Sequence, residues 1–128
     1  VLFFTNDVGA VGRSLNKRIP KWLSYGENSP LFQCGTSSTC VIVEDPASAC
    51  SVGSTGVYTG CEILGTNVSS DQMTQLSKYK RHIICLDKDA SKTALKLYEK
   101  FNFPNVTIKL LEEDLKYLTT EGVMNCLQ

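Results

Sequence analysis

The chain has 128 residues, 42% hydrophobic and 20% charged, the composition of one ordinary globular domain that can bury roughly two-thirds of its unfolded surface. No apolar run approaches the ~18 residues of a membrane span and no signal-peptide pattern opens the chain, so a cytoplasmic protein without a membrane partner is expected. Thirteen basic and thirteen acidic residues cancel, so bulk charge advertises no nucleic-acid partner.

The distribution of charge says more than its sum. Up to residue 39, Arg13, Lys17, Arg18 and Lys21 stand against Asp7 and Glu27, a net of +2, and the remainder sums to −2. Four basic residues on a loop are most often a solvated surface; beside an acidic centre they would suit a phosphate-rich substrate. The opening Val1-Leu2-Phe3-Phe4 reads as a strand already under way, as in a piece cut from a longer protein. A strand at Leu2 to Thr5, a turn at Asn6-Asp7, and a stretch with Gly9, Gly12 and Pro20 indicate a small, loop-rich β subdomain over residues 1–38.

From residue 39 to 128, short apolar strands alternate with helical patterns, the signature of a mostly parallel sheet covered by helices. Cys40-Val41-Ile42-Val43 is a strand buried on both faces that ends in Glu44-Asp45. Pro46 fits the first turn of a helix through Ala47, Ala49 and Val52, closed by Gly53. Val57 to Leu64 contains a second strand; Gly53, Gly56 and Gly60 read as turn residues, since no Gly-Lys-Ser/Thr follows to make a phosphate loop. Ser69 and Gln72 have capping-box spacing ahead of a helix carrying Met73, Leu76 and Tyr79 on one face. Ile83 to Leu86 is a third strand, opened by a structural His82 and ended by Asp87-Lys88-Asp89. Asp87 and Asp89 are two apart, so in an extended chain they point the same way. Ser91 to Phe101 is a helix with Ala94, Leu95, Tyr98 and Phe101 on its apolar side, Val106 to Leu111 a fourth strand ending in Glu112-Glu113-Asp114, and Thr119 or Thr120 caps a terminal helix.

Three acid groups therefore follow the carboxyl ends of strands, where open α/β sheets place their ligands. If the Glu44 and Asp87 strands are neighbours, the acids crowd one sheet edge. A like-charge pair about 4 Å apart costs roughly 4 kcal/mol at an effective dielectric near 20, so a counter-ion is needed, and an oxygen-only cluster suits Mg²⁺ or Mn²⁺. The six cysteines form no CxxC pair and there is one histidine, which excludes a structural zinc site; Cys40, Cys61 and Cys85 read as small buried hydrophobes.

This order of strands, helices and acids resembles the TOPRIM fold shared by bacterial-type primases, type IA and II topoisomerases and certain nucleases. Glu44-Asp45-Pro46-Ala47-Ser48-Ala49 is similar to the first motif, Glu-Gly-x-x-Asp-Ala, with Asp45 in place of Gly and Ser48 in place of Asp. Leu86-Asp87-Lys88-Asp89-Ala90 resembles the Asp-x-Asp motif closely, and Asp114 matches the third acidic stretch. Upstream, Gly12-Arg13, Pro20-Lys21-Trp22-Leu23 and Pro30-Leu31-Phe32 resemble the leader of bacterial and phage primase cores, with Trp22 where Tyr is usual. Topoisomerases lack such a leader.

The resemblance implies the catalytic core of a DNA primase, or the primase half of a phage primase-helicase: a nucleotidyltransferase that joins ribonucleotides on single-stranded DNA. It implies metal ions, two or more, on Asp87, Asp89 and Asp114, and Glu44 as ligand or proton acceptor. Arg13, Lys21, Trp22 and Lys88 are the implied nucleotide and template contacts, and a replicative helicase, in the same polypeptide or separate, the implied partner. A TOPRIM nuclease using the same acids and a non-catalytic nucleic-acid-binding module are the rival readings.

Overall fold

The computed structural model describes the backbone of residues 2–6, 9–13 and 22–25, and in full residues 31–63, 68–113 and 115–128. Strands β1 (Leu2–Asn6), β2 (Gly9–Arg13) and β3 (Trp22–Tyr25) form an antiparallel sheet in that order. β1 matches the expected strand. β2 and β3 do not appear in the sequence reading, because glycines in one and a short polar-interrupted run in the other hide strand periodicity.

The second sheet has five strands in the order β4 (Phe32–Cys34), β6 (Thr59–Glu62), β5 (Thr39–Val43), β7 (Arg81–Asp87), β8 (Val106–Leu111). β6, β5, β7 and β8 are mutually parallel, and β4 pairs antiparallel with β6. The apolar runs explain which strands are central. β5 and β7 are buried on both faces, as only strands covered by helices on each side can be.

Alternate residues serve alternate faces. Cys40, Ile42, Cys61, Ile84 and Leu86 pack with Leu76 of α2 (Ser70–Leu76) and Ala94, Leu97 and Phe101 on or just after α3 (Ser91–Lys100). Val41, Val43, Ile83 and Cys85 pack with Ala49 and Val52 of α1 (Pro46–Gly53) and Val123 and Leu127 of α4 (Thr120–Leu127). The helix starts follow the sequence signals: Asp45 caps α1 with Pro46 next, Ser69 and Gln72 close a reciprocal capping box on α2, and Thr119 caps α4. Among the described residues no helix is long and apolar enough to cross a membrane.

Three expectations change. Leu95 and Tyr98 of α3 are 56% and 47% exposed, because only the Ala94 and Leu97 side of the helix reaches the sheet. Gly60 is no turn residue: it lies inside β6 beneath α1, where the Ala49 backbone comes too close for any side chain. Of the three glycines taken for turns, Gly56 alone shows a turn's left-handed backbone, at φ 77°. His82 is structural, as expected: its Nε2–H donates to the Leu76 carbonyl at 2.6 Å and its ring stacks on Phe103 at 4.1 Å. Burial lowers its pKa, which keeps the imidazole neutral.

Candidate active site at the carboxyl edge of the sheet

β5 and β7 are hydrogen-bonded neighbours, with Ile42 paired to Ile84. Two residues further along both strands, Glu44 comes level with Leu86, one position short of Asp87. The sheet therefore brings Glu44 and Asp87 to the same edge, and the Asp87–Leu111 pairing carries Glu112 and Glu113 there on the far side. Between them lies a small, shallow cleft lined by Glu44, Asp45, Ser48 and Asp87 over an apolar floor that includes Val43 and Leu115. Lys21 and Asp114 lie outside the described residues. Arg13 and Trp22 are backbone register partners across β2 and β3, and their side chains lie outside the description.

The acids at this edge differ in how far the fold already uses them. Asp45 is spent. Its carboxylate accepts the Ser48 N–H at 2.8 Å and the Ser48 hydroxyl at 3.3 Å, capping α1, and pairs with Lys116 Nζ at 3.5 Å. The two departures from the family motif, Asp45 and Ser48, are thus a mutual capping pair. Asp87 stands at the N-cap of the 3-10 turn Lys88–Ala90 without making a capping hydrogen bond, so its carboxylate is not taken up by the helix start. Asp89 sits within that turn, exposed. The chain leaves extended geometry at Asp87, so the period-two argument that aligned Asp87 with Asp89 does not apply, and Asp89 is not among the residues that line the cleft. Glu44 is exposed at the end of β5.

One acid was not anticipated. Glu62, the last residue of β6 and the register partner of Val43, is 3% exposed, and its Oε1 has no hydrogen-bond partner among the described residues. Burial, with a smaller push from Asp45, raises its pKa to about 8. The signal was present as a lone charge inside an apolar run, Cys61-Glu62-Ile63, and the turn-like glycines around it drew the reading elsewhere. A raised carboxyl pKa means the folded state holds the proton more tightly than the unfolded chain does. Its stability cost is absent below about pH 4.5, grows as pH rises and is complete above about pH 8. Glu62→Gln, which mimics the protonated form, is expected to raise stability near pH 8 by on the order of 2 kcal/mol and to change little in acid. Calorimetric melts across that range check this, and an equal gain at both ends would contradict it.

Among the described residues no three His, Cys, Asp or Glu side chains converge into a metal cage. The crowded cluster of Glu44, Asp87 and Asp89 expected from the sequence is therefore not seen among these residues. The donors at this edge, Glu44, Asp87 and Asp89, are all oxygen.

No family profile matches the chain and no curated protein resembles it in sequence. Solved structures do resemble it in shape. A DnaG primase catalytic domain bound to single-stranded DNA matches with a TM-score of 0.69 at 20% identity, over 93% of this chain and 46% of that one. The fold is that of a primase catalytic core. A DNA primase domain from Pseudomonas aeruginosa gives 0.66 at 20% identity over 86% and 41%. The Aquifex aeolicus primase, comprising zinc-binding and RNA polymerase domains, gives 0.65 at 19% over 94% and 36%. The chain spans less than half the length of each of these primases. At this identity the likeness speaks for the primase fold, with its TOPRIM-type sheet, and the chemistry has to be argued from the edge residues.

Proposed function

We propose that the chain is the catalytic core of a DNA-directed RNA primase, a nucleotidyltransferase that makes short RNA primers on single-stranded DNA. The observation that supports it is the placement of Glu44, Asp87 and Asp89 at the carboxyl edge of a primase-type sheet, with Asp87 free of any capping duty. In primer synthesis a 3′-hydroxyl attacks the α-phosphate of a ribonucleoside triphosphate; the new P–O bond forms as pyrophosphate leaves. Mg²⁺ or Mn²⁺, when bound, supplies charge neutralisation on the phosphate oxygens. Asp87 and Asp89, with Asp114, would hold the ions. Glu44 completes the ligand set or accepts the hydroxyl proton.

Arg13, Lys21 and Lys88 contact phosphates in this reading and Trp22 stacks a base. The partners are single-stranded DNA template, ribonucleoside triphosphates and a replicative helicase, in the cytoplasm of the cell or, for a phage protein, of its host. One structural neighbour is a DnaG primase catalytic domain bound to single-stranded DNA, which supports that choice of template. The test is metal-dependent incorporation of labelled ribonucleotides on single-stranded DNA, with Glu44→Gln as the control. Primer-length products lost in Glu44→Gln are expected. Metal-dependent nicking without primers would assign the edge to a nuclease, and inactivity in both assays to a binding module.

A further inference from the structure

A row of lysines leaves the acid edge along α3. Lys88 stands exposed in the turn between Asp87 and Asp89, and Lys92, Lys96 and Lys100 follow at intervals of four, all exposed. Four residues advance a helix by about 6 Å with only ~40° of rotation, so the three helical lysines form one line along its surface. The line ends at the opposite edge of the sheet. Phe101, next to Lys100, has its ring 6.5 Å from that of His82, and His82 lies 6.3 Å from Tyr79. Around that aromatic cluster, Lys78, Lys80 and Arg81 are exposed. From 78 to 100 there are seven basic residues against Asp87, Asp89 and Glu99. Among the described residues none of the seven is in an ion pair.

A solvated helix face ordinarily alternates charge sign at spacing four, because Glu and Lys four apart stabilise the helix. Here Lys92–Lys96 and Lys96–Lys100 are like-charge pairs at that spacing, each costing about 0.2–0.5 kcal/mol. Glu99, three residues after Lys96, and the place of Lys100 in the last turn offset part of that cost, but neither requires lysine at 92 and 96. Its inner end touches the candidate active site, and aromatic or apolar groups lie beside it: Tyr98 and Leu95 half exposed on α3, and Tyr79 under Lys78 Nζ at 5.2 Å.

We propose that Lys88, Lys92, Lys96 and Lys100, continued by Lys78, Lys80 and Arg81, form one basic track that holds the phosphodiester backbone of a single nucleic-acid strand engaged at the Glu44–Asp87 edge. The assignment rests on the nucleic-acid reading above and adds to it a surface built from residues other than Arg13 and Lys21. The chain's zero net charge hides this track because most of its acids lie elsewhere, Glu99 being the one acid on α3.

The test is fluorescence anisotropy of a labelled single-stranded oligodeoxynucleotide with the chain across a salt series, for wild type, Lys92→Gln/Lys96→Gln/Lys100→Gln and, away from the track, Lys109→Gln. The triple variant is expected to lower the slope of log affinity against log salt by about two, from roughly 0.7 per phosphate released, and to weaken binding at low salt by roughly tenfold. Its melting temperature should be unchanged or higher, since two like-charge pairs are removed. A wild-type slope in the triple variant overturns the track whatever the primer assay shows, and so does an equal fall in Lys109→Gln. A lowered slope in a chain that makes no primers supports the track and overturns the primase reading.

Discussion

Asp87→Asn is expected to lower Mn²⁺ affinity by roughly 100-fold or more and primer synthesis by at least about 10²-fold. Asp87 ends the central strand β7, beside Glu44 across the β5 pairing, and gives no hydrogen bond to the turn it precedes. Its carboxylate contributes charge at the edge and nothing visible to the helix start. Asparagine keeps the shape and removes the charge, so the fold should persist and the metal-free melting temperature should hold or rise slightly as like-charge repulsion is relieved. Asp45→Asn is the informative contrast. That residue caps α1 and pairs with Lys116, so its loss should cost stability, about 1–2 kcal/mol, more than metal affinity. Calorimetric Mn²⁺ titration with parallel melts separates the two. Unchanged Mn²⁺ affinity in Asp87→Asn would remove Asp87 from the ligand set.

Gly60→Ala should be the most damaging added methyl among the described glycines. A Cβ at Gly60 would overlap the Ala49 carbonyl oxygen and lie 2.5 Å from the Ala49 Cα, both backbone atoms of α1, which cannot swing aside as a flexible side chain would. The helix must lift from β6, opening contacts of Ala49 and Val52 with the sheet. A loss of about 3 kcal/mol or more is expected, a large part of the stability of a domain this size. The damage should reach the site, because the α1 cap, Asp45, directly follows Glu44. Chemical denaturation checks it: a wild-type midpoint would mean that α1 does not sit against β6 as described.

Much of this was legible because it is local. Cys40 to Val43, Ile83 to Leu86 and Val106 to Leu111 are apolar runs of strand length, and Pro46, Ser69 with Gln72, and Thr119 mark helix starts whose caps form as their chemistry requires. Acids at strand ends could be placed from order alone. Leu95 and Tyr98 were misassigned because periodicity shows that a helix has an apolar side without showing how wide a stripe its neighbours cover. Glu62 was missed because its burial depends on α1 and β4 closing over the end of β6, which no window of sequence around it contains.

By itself, the sequence determined the alternation of strands and helices, the acids that terminate the strands and the motifs that resemble a primase core, since side-chain periodicity and capping act over a few residues. Tertiary structure alone decided that β5 lies beside β7 and so joins Glu44 to Asp87, that Asp45 is consumed by Ser48 and Lys116 while Asp87 is not, and that Gly60 must be glycine. Each of these depends on which distant segments pack together, and that is set by pairing and burial summed over the whole sheet.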